Sequence, residues 1–274
     1  MKLRVGFHIP LAKGWKKAIT YAESLGCECI QVFPHNPRSW EITFKDTFPV
    51  REALLSRGIR PLIIHASYLV NLASVRFGER SLKLLKEEIR RGEEWGAEFL
   101  VFHAGSGDIE VLRENLKKLG DDKRIKLLVE NTPGGGKRVG RFVEEIEYLL
   151  NTFPFLGFCL DTAHAFQAGY DLSSPRGVKG FFQKIEKSIG LERVKLLHFN
   201  DSLTPLASFL DRHAHLGEGY IGGRGLREIL CYFLGRNIPV IMETPGIGTS
   251  WDRRNMGYIR ELLKEIEFSG KIKP

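Results

Sequence analysis

The feature that most constrains this chain is an eightfold alternation of two kinds of segment. Eight short apolar runs, Leu3–Ile9, Cys27–Phe33, Arg60–Ala66, Glu98–Ala104, Ile125–Asn131, Leu156–His164, Val194–Asp201 and Pro239–Pro245, are rich in Val, Ile, Leu and Phe and lack polar alternation. Such runs suit parallel strands buried on both faces. Between and after them, Gly14–Leu25, Asp46–Arg57, Glu79–Trp95, Ile109–Leu119, Val139–Leu150, Arg176–Ile189, Arg224–Leu234 and Asp252–Glu267 carry helical periodicity. Several stop at a glycine (Gly26, Gly58, Gly96, Gly120, Gly190), the usual end of a helix before a turn. Eight strand–helix units predict an α/β fold, a single (β/α)8 TIM barrel that takes residues 1–274 as one domain. A doubly wound open sheet is the runner-up, but no Gly-x-Gly-x-x-Gly follows the first strand.

Six of the runs deliver a metal-type side chain at or just before their C-terminal ends: in order, His65, His103, Glu130, Asp161, His198 and Glu243. In a closed barrel these converge at one mouth, the C-terminal face of the strands, where the sites of such barrels lie. A lone histidine at a strand end is more often structural than a ligand. Here, five of the eight histidines, His65, His103, His164, His198 and His213, follow predicted strands among carboxylates. Imidazole with carboxylate suits Zn, Mn or Fe rather than Ca or Mg. Asp161-Thr162-Ala163-His164 spaces a carboxylate and an imidazole to serve two adjacent ions, and Asp211-Arg212-His213 adds a further pair. One tetrahedral ion needs about three or four protein ligands. Nine candidates therefore point to two or three ions, an arrangement suited to phosphoester hydrolysis.

Composition narrows the class. The values of 43% hydrophobic and 27% charged residues are ordinary for a globular protein. No apolar run reaches the roughly 18 residues of a membrane span, and the N-terminus carries no signal-peptide pattern, so the expected compartment is cytoplasmic, with no membrane partner. Cys27, Cys29, Cys159 and Cys231 form no Cys-x-x-Cys pair and are read as packing residues. The net charge is +8, and Arg38, Arg76, Lys137, Arg138, Arg212, Arg224, Arg253 and Arg254 fall in the predicted strand-to-helix loops or the first turns after them. That bias argues for an anionic substrate at the mouth. A heat-adapted, ion-rich surface is the alternative, since only Gln31, Gln167 and Gln183 are glutamine.

The segments Phe33-Pro34-His35-Asn36-Pro37-Arg38-Ser39-Trp40, His65-Ala66-Ser67-Tyr68-Leu69-Val70-Asn71-Leu72, Phe102-His103-Ala104-Gly105-Ser106-Gly107, Val129-Glu130-Asn131-Thr132, Asp161-Thr162-Ala163-His164-Ala165-Phe166, His198-Phe199-Asn200-Asp201, Asp211-Arg212-His213-Ala214-His215-Leu216-Gly217-Glu218-Gly219 and Met242-Glu243-Thr244-Pro245 run nearly the whole length. Together they resemble the endonuclease IV family of zinc-dependent apurinic/apyrimidinic endonucleases, within the xylose-isomerase-like barrel superfamily. The resemblance implies three zinc ions, with manganese a possible substitute at one or more positions. By the family pattern His65, His103 and Glu130 hold one ion; Glu130 as a bridge with Asp161, His198 and Glu243 a second; His164, Asp211 and His213 the third. It implies hydrolysis of duplex DNA on the 5′ side of an abasic site, leaving a 3′-hydroxyl and a 5′-deoxyribose phosphate, together with trimming of blocked 3′ ends as a 3′-phosphodiesterase.

In the same pattern Glu130 and Glu243 are the catalytic carboxylates, Glu243 doubling as proton acceptor. Arg38, Tyr68 and Leu69 are the DNA contacts, an arginine with an aromatic and an aliphatic wedge. The wide mouth favours a monomer. The sequence departs from the pattern at Pro37, at Ala66 and in the glycine-rich Pro133–Arg138 loop. These put the grip on the duplex in question, not the ligand positions. His8 is expected in a supporting or core role, His35 as a substrate contact, and His215 as a partner of the third ion. Two other readings stand beside this one: a metal-dependent sugar isomerase or epimerase on the same barrel, and a damage-binding module that uses metal only to fold. The set His164, Asp211 and His213 argues against the first, and the scarcity of cysteine ligands against the second.

Overall fold

A computed structural model describes residues 3–42, 47–121 and 123–268. Its strands are β1 (Arg4–His8), β2 (Cys29–Val32), β3 (Leu62–His65), β4 (Phe99–His103), β5 (Lys126–Glu130), β6 (Gly157–Asp161), β7 (Val194–His198), β8 (Asp201–Ser202), β9 (His213–Ala214) and β10 (Pro239–Met242). Eight of them close a parallel barrel in the order β1-β10-β7-β6-β5-β4-β3-β2, and β8 and β9 pair separately as a two-stranded antiparallel sheet. The helices are α1 (Trp15–Leu25), α2 (Val50–Leu55), α3 (Gly78–Trp95), α4 (Ile109–Lys117), α5 (Val143–Thr152), α6 (Thr162–Ala168), α7 (Pro175–Ser188), α8 (Gly222–Cys231) and α9 (Ser250–Phe268). The predicted TIM barrel is the observed fold. Each predicted strand is present with trimmed ends, and the start of the predicted Asp46–Arg57 helix lies outside the described residues.

Three boundaries differ for local reasons. The sixth run was expected to stay extended to His164, but the strand ends at Asp161, whose side chain accepts the His164 backbone N–H at 2.7 Å and caps α6. The helix expected from Val139 starts only at Val143. Gly140 sits at φ +94°, outside helical space, and the Glu145 carboxylate reaches back to the N–H groups of Gly140 and Phe142 at 3.2 and 2.9 Å. The seventh strand ends at His198, and Asp201 turns away to pair with Ala214.

The barrel interior holds an apolar layer of Cys29, Ile63, Val101, Leu128, Cys159, Leu196 and Ile241. Side chains two positions apart on a strand share a face. The residues two further along are therefore also inward: Gln31, His65, His103, Glu130, Asp161, His198 and Glu243. A polar layer thus sits directly above an apolar one by strand period alone. On β1 the same alternation runs from Gly6 to His8, and only glycine fits at position 6, since a Cβ there would lie 1.8 Å from the Cys29 carbonyl oxygen. The larger core lies between barrel and helices, and all four cysteines are buried and free, as packing residues.

The loop that follows β7 is anchored by one buried carboxylate. Asp201 accepts the backbone N–H groups of Ser202, Ile221 and Gly222 on one oxygen and of Gly217 and Gly219 on the other, at 2.8–3.3 Å. Replacing it with alanine takes the acceptor from five backbone donors, of which Ser202 and Ile221 are buried. Asp201→Ala is expected to lower stability by about 3 kcal/mol, read from urea unfolding. A loss below about 1 kcal/mol would mean that water takes over the role.

Candidate metal centre

Register brings the polar layer together. His103 pairs with Glu130 across β4 and β5, Asp161 with His198 across β6 and β7, and Ile241 with His198 across β10 and β7. Glu130, Asp161 and His198 are fully buried. Four imidazoles surround Glu130: His198 Nδ1 at 2.9 Å, His65 Nε2 at 3.2 Å, His164 Nδ1 at 3.4 Å and His103 Nε2 at 3.5 Å. Asp211 Oδ1 stands 3.3 Å from His164 Nε2 and 3.7 Å from His213 Nε2. Ligand-type atoms lie within 4.8 Å of one another in the groups His65/His103/Glu130, Glu130/Asp161/His198/Glu243 and Asp161/His164/His213. These match the sequence grouping, except that Asp161 stands in the third where Asp211 was expected. Cys159, a packing residue of the apolar layer below, also approaches Glu130 and His198.

The carboxylates and imidazoles shift one another strongly. Burial pushes the Glu130 carboxyl up, but the charges of His103 and His198 outweigh it and hold the group well below the usual carboxylate range. For Glu243, burial is likewise overcome by His198 and His8. At His164 burial disfavours the charged ring, yet Asp161 and Asp211 raise it well above its ordinary value. Burial lowers His8 and His103.

Two observations test whether metal ions fit here. A histidine ligand usually gives its second ring nitrogen to a fixed acceptor. His65 Nδ1 meets the Ala66 carbonyl at 2.7 Å, His164 Nδ1 the Asn131 carbonyl at 3.0 Å, His213 Nδ1 the Glu243 carbonyl at 3.0 Å, and His198 Nε2 the Gln31 amide oxygen at 2.8 Å. In each the other nitrogen faces carboxylates. His164 Nε2 and His213 Nε2 are buried without a hydrogen-bond partner among the described residues. Ligands about 2.0–2.1 Å from a tetrahedral zinc stand roughly 3.3 Å apart. The observed separations of 2.9–3.7 Å bracket that value. The donors fit.

The mouth is a cavity of about 330 Å³ bordered by His8, Phe33, Tyr68 and Ile247 around the ligand-type side chains. Tyr68 is 61% exposed, and its ring packs edge-on to Phe33 at 5.1 Å. Its N–H donates to the Pro37 carbonyl at 3.1 Å, so the unusual Pro37 ties the Arg38 loop to the Tyr68 loop. Arg38 is exposed, while Leu69 is half-buried against the core.

Three histidine expectations resolve differently. His8 is a supporting residue, with Nδ1 3.0 Å from Glu243 Oε1. His35 is no substrate contact, because its Nε2 is clamped to the buried Glu88 of α3 at 2.7 Å. His215 stacks on Trp251 at 4.0 Å and meets Asn255, away from the third group. All eight basic loop residues are exposed. Cations are not confined to that end, however: Arg4, Arg60, Lys195 and Arg236 line a cavity of about 460 Å³ at the opposite opening. The sequence reading missed Gln31, whose signal was a lone amide inside an apolar run.

Fold and metal-type cluster define a xylose-isomerase-like barrel. A family model described as xylose isomerase-like TIM barrel matches residues 19–266. The chain is 37% identical over 284 residues to the probable endonuclease 4 of Natranaerobius thermophilus, covering 97% of this chain and 99% of that one. It superposes on the crystal structure of endonuclease IV from Thermus thermophilus with a TM-score of 0.87 at 38% identity, over 96% and 99% of the two chains. A D-tagatose 3-epimerase-like protein aligns at a TM-score of 0.72 and 18% identity over 96% and 99%, which reflects the fold alone. The chain belongs to the endonuclease IV family of xylose-isomerase-like barrels.

Proposed function

We propose that this protein is a zinc-dependent endonuclease that cuts duplex DNA on the 5′ side of abasic sites, leaving a 3′-hydroxyl and a 5′-deoxyribose phosphate, and that also removes 3′-phosphodiester blocks. The observation that carries the reading is the histidine–carboxylate cluster with its orienting acceptors, on a chain of this family. His65, His103 and Glu130 would hold one ion, Glu130, Asp161, His198 and Glu243 a second, and His164, Asp211 and His213 a third, with Asp161 close enough to the last set to support it. When bound, such ions neutralise phosphate oxygens and ionise water near neutral pH.

The chain's own groups do the rest. Glu243 Oε1 is taken by Gln31 and His8, which leaves Oε2, 3.3 Å from His198 Nδ1, as the oxygen that would face the second ion and, with its other lone pair, accept the proton of the attacking water. Arg38 and Tyr68, exposed on their loops, hold the distorted duplex, with Leu69, half-buried against the core, beside Tyr68 in sequence as the aliphatic part of the wedge. An abasic nucleotide has no base to unstack, so extruding it costs less than extruding an intact one. The whole site comes from one chain, so a monomer suffices.

Metal analysis tests the assignment: about three zinc ions per folded chain are expected, and a single tightly held ion would favour the sugar isomerase reading. Tyr68→Ala is expected to weaken binding of an abasic duplex about tenfold with kcat little changed, since an aromatic–base contact contributes roughly 1–3 kcal/mol. Fluorescence anisotropy checks this, and unchanged affinity would remove Tyr68 from the interface.

A further inference from the structure

We infer that Gln31 is a positioning residue that sets the tautomer of His198 and the orientation of Glu243, and so tunes the affinity of one metal position separately from the others. The inference rests on the metal-centre reading above. Gln31 is fully buried on β2, between residues of two other strands. Its amide nitrogen lies 2.7 Å from Glu243 Oε1 and its amide oxygen 2.8 Å from His198 Nε2. A carboxylate oxygen beside a histidine-rich site only accepts, so the amide nitrogen must face Glu243. The amide oxygen is thereby fixed on His198, and as it also only accepts, His198 carries its proton on Nε2. Nδ1 of His198 is left for Glu130 Oε1 at 2.9 Å and Glu243 Oε2 at 3.3 Å, the point where a cation satisfies all three.

Three other histidines of the centre are oriented by backbone carbonyls of Ala66, Asn131 and Glu243, which no substitution removes. His198 depends on a side chain. A buried amide costs free energy unless it is hydrogen-bonded, and Gln31 is bonded at both ends to the same set of ligands. Gln31 also approaches His8 Nδ1 at 3.0 Å, and His8 Nε2 is buried without a partner among the described residues. Gln31 thus holds His8 beside the mouth as well.

The test compares wild type, Gln31→Met, which keeps the length without hydrogen bonds, and Gln31→Glu, which keeps an acceptor for His198. Zinc affinities are read by competition with a chromophoric chelator at fixed pH, alongside kcat and KM on an abasic duplex. In Gln31→Met one zinc step is expected to weaken roughly 10- to 100-fold, with the remaining steps and KM unchanged and kcat reduced. Gln31→Glu keeps the acceptor for His198 but sets a carboxylate against Glu243 Oε1 in place of the donor, so it should recover only the part of the affinity that comes from orienting His198. Should Gln31→Met not fold, Gln31→Asn, too short to span both partners, carries the same expectation. Wild-type affinity at every step, or equal weakening of all steps, would overturn the inference. Wild-type protein that binds no zinc would instead overturn the metal-centre reading before any variant is compared.

Discussion

Glu243→Gln is expected to cut abasic DNA about 10²–10⁴-fold more slowly than wild type, the usual contribution of a positioned proton acceptor, while binding the abasic duplex with little change. The substitution is nearly isosteric, but it replaces an oxygen with an N–H₂ group in a setting built for acceptors. Gln31 donates to Glu243 Oε1 at 2.7 Å, and Oε2 faces His198 Nδ1 at 3.3 Å. Either orientation of the new amide sets a donor against the Gln31 donor or turns a donor toward the water. DNA contacts at Arg38 and Tyr68 lie on other loops and are untouched. Single-turnover cleavage and anisotropy separate the two effects. Wild-type cleavage with zinc content intact would remove Glu243 from the chemistry.

Glu130→Ala is expected to have the largest effect on stability, about 3–5 kcal/mol in metal-free protein, because removing one partner of a buried charge cluster strands the other. Glu130 is fully buried, and four imidazoles approach it within 3.5 Å. No other described carboxylate contacts so many of them. The same variant should lose zinc from two of the proposed positions, since Glu130 is common to both groups. Urea unfolding of the chelated protein and metal analysis of the loaded protein check the two consequences. A stability loss below about 1 kcal/mol would mean that the metal-free centre is not organised around this carboxylate.

The barrel and the members of the centre were legible in the sequence because both follow from strand period. Each strand that presents Ile63, Val101, Leu128 or Leu196 to the interior also presents His65, His103, Glu130 or His198 one layer higher. The same period places Gln31 above Cys29 and His8 above Gly6, although the Gln31 amide lacks the ligand chemistry that marks the other members. The turn from strand to helix at Asp161–His164 is legible, but the apolar run reaches His164 while the strand ends at Asp161, whose side chain caps the helix, a contact that a hydrophobic pattern does not register. His35 was misread because its partner, Glu88, lies 53 residues away on α3. The charge bias was overstated, since the cations lining the opposite opening come from strand beginnings scattered along the chain.

The most direct measurement is incision of an end-labelled duplex carrying one tetrahydrofuran abasic analogue, with the undamaged duplex as control and the new 3′ end tested by polymerase extension. The analogue cannot undergo β-elimination, so cleavage reports hydrolysis. The expected result with zinc-loaded protein is one cut on the 5′ side that leaves an extendable 3′-hydroxyl, absent from the undamaged duplex and lost in Glu243→Gln. An intact duplex after incubation with protein verified to hold its zinc would contradict the endonuclease reading and return the sugar isomerase to the front.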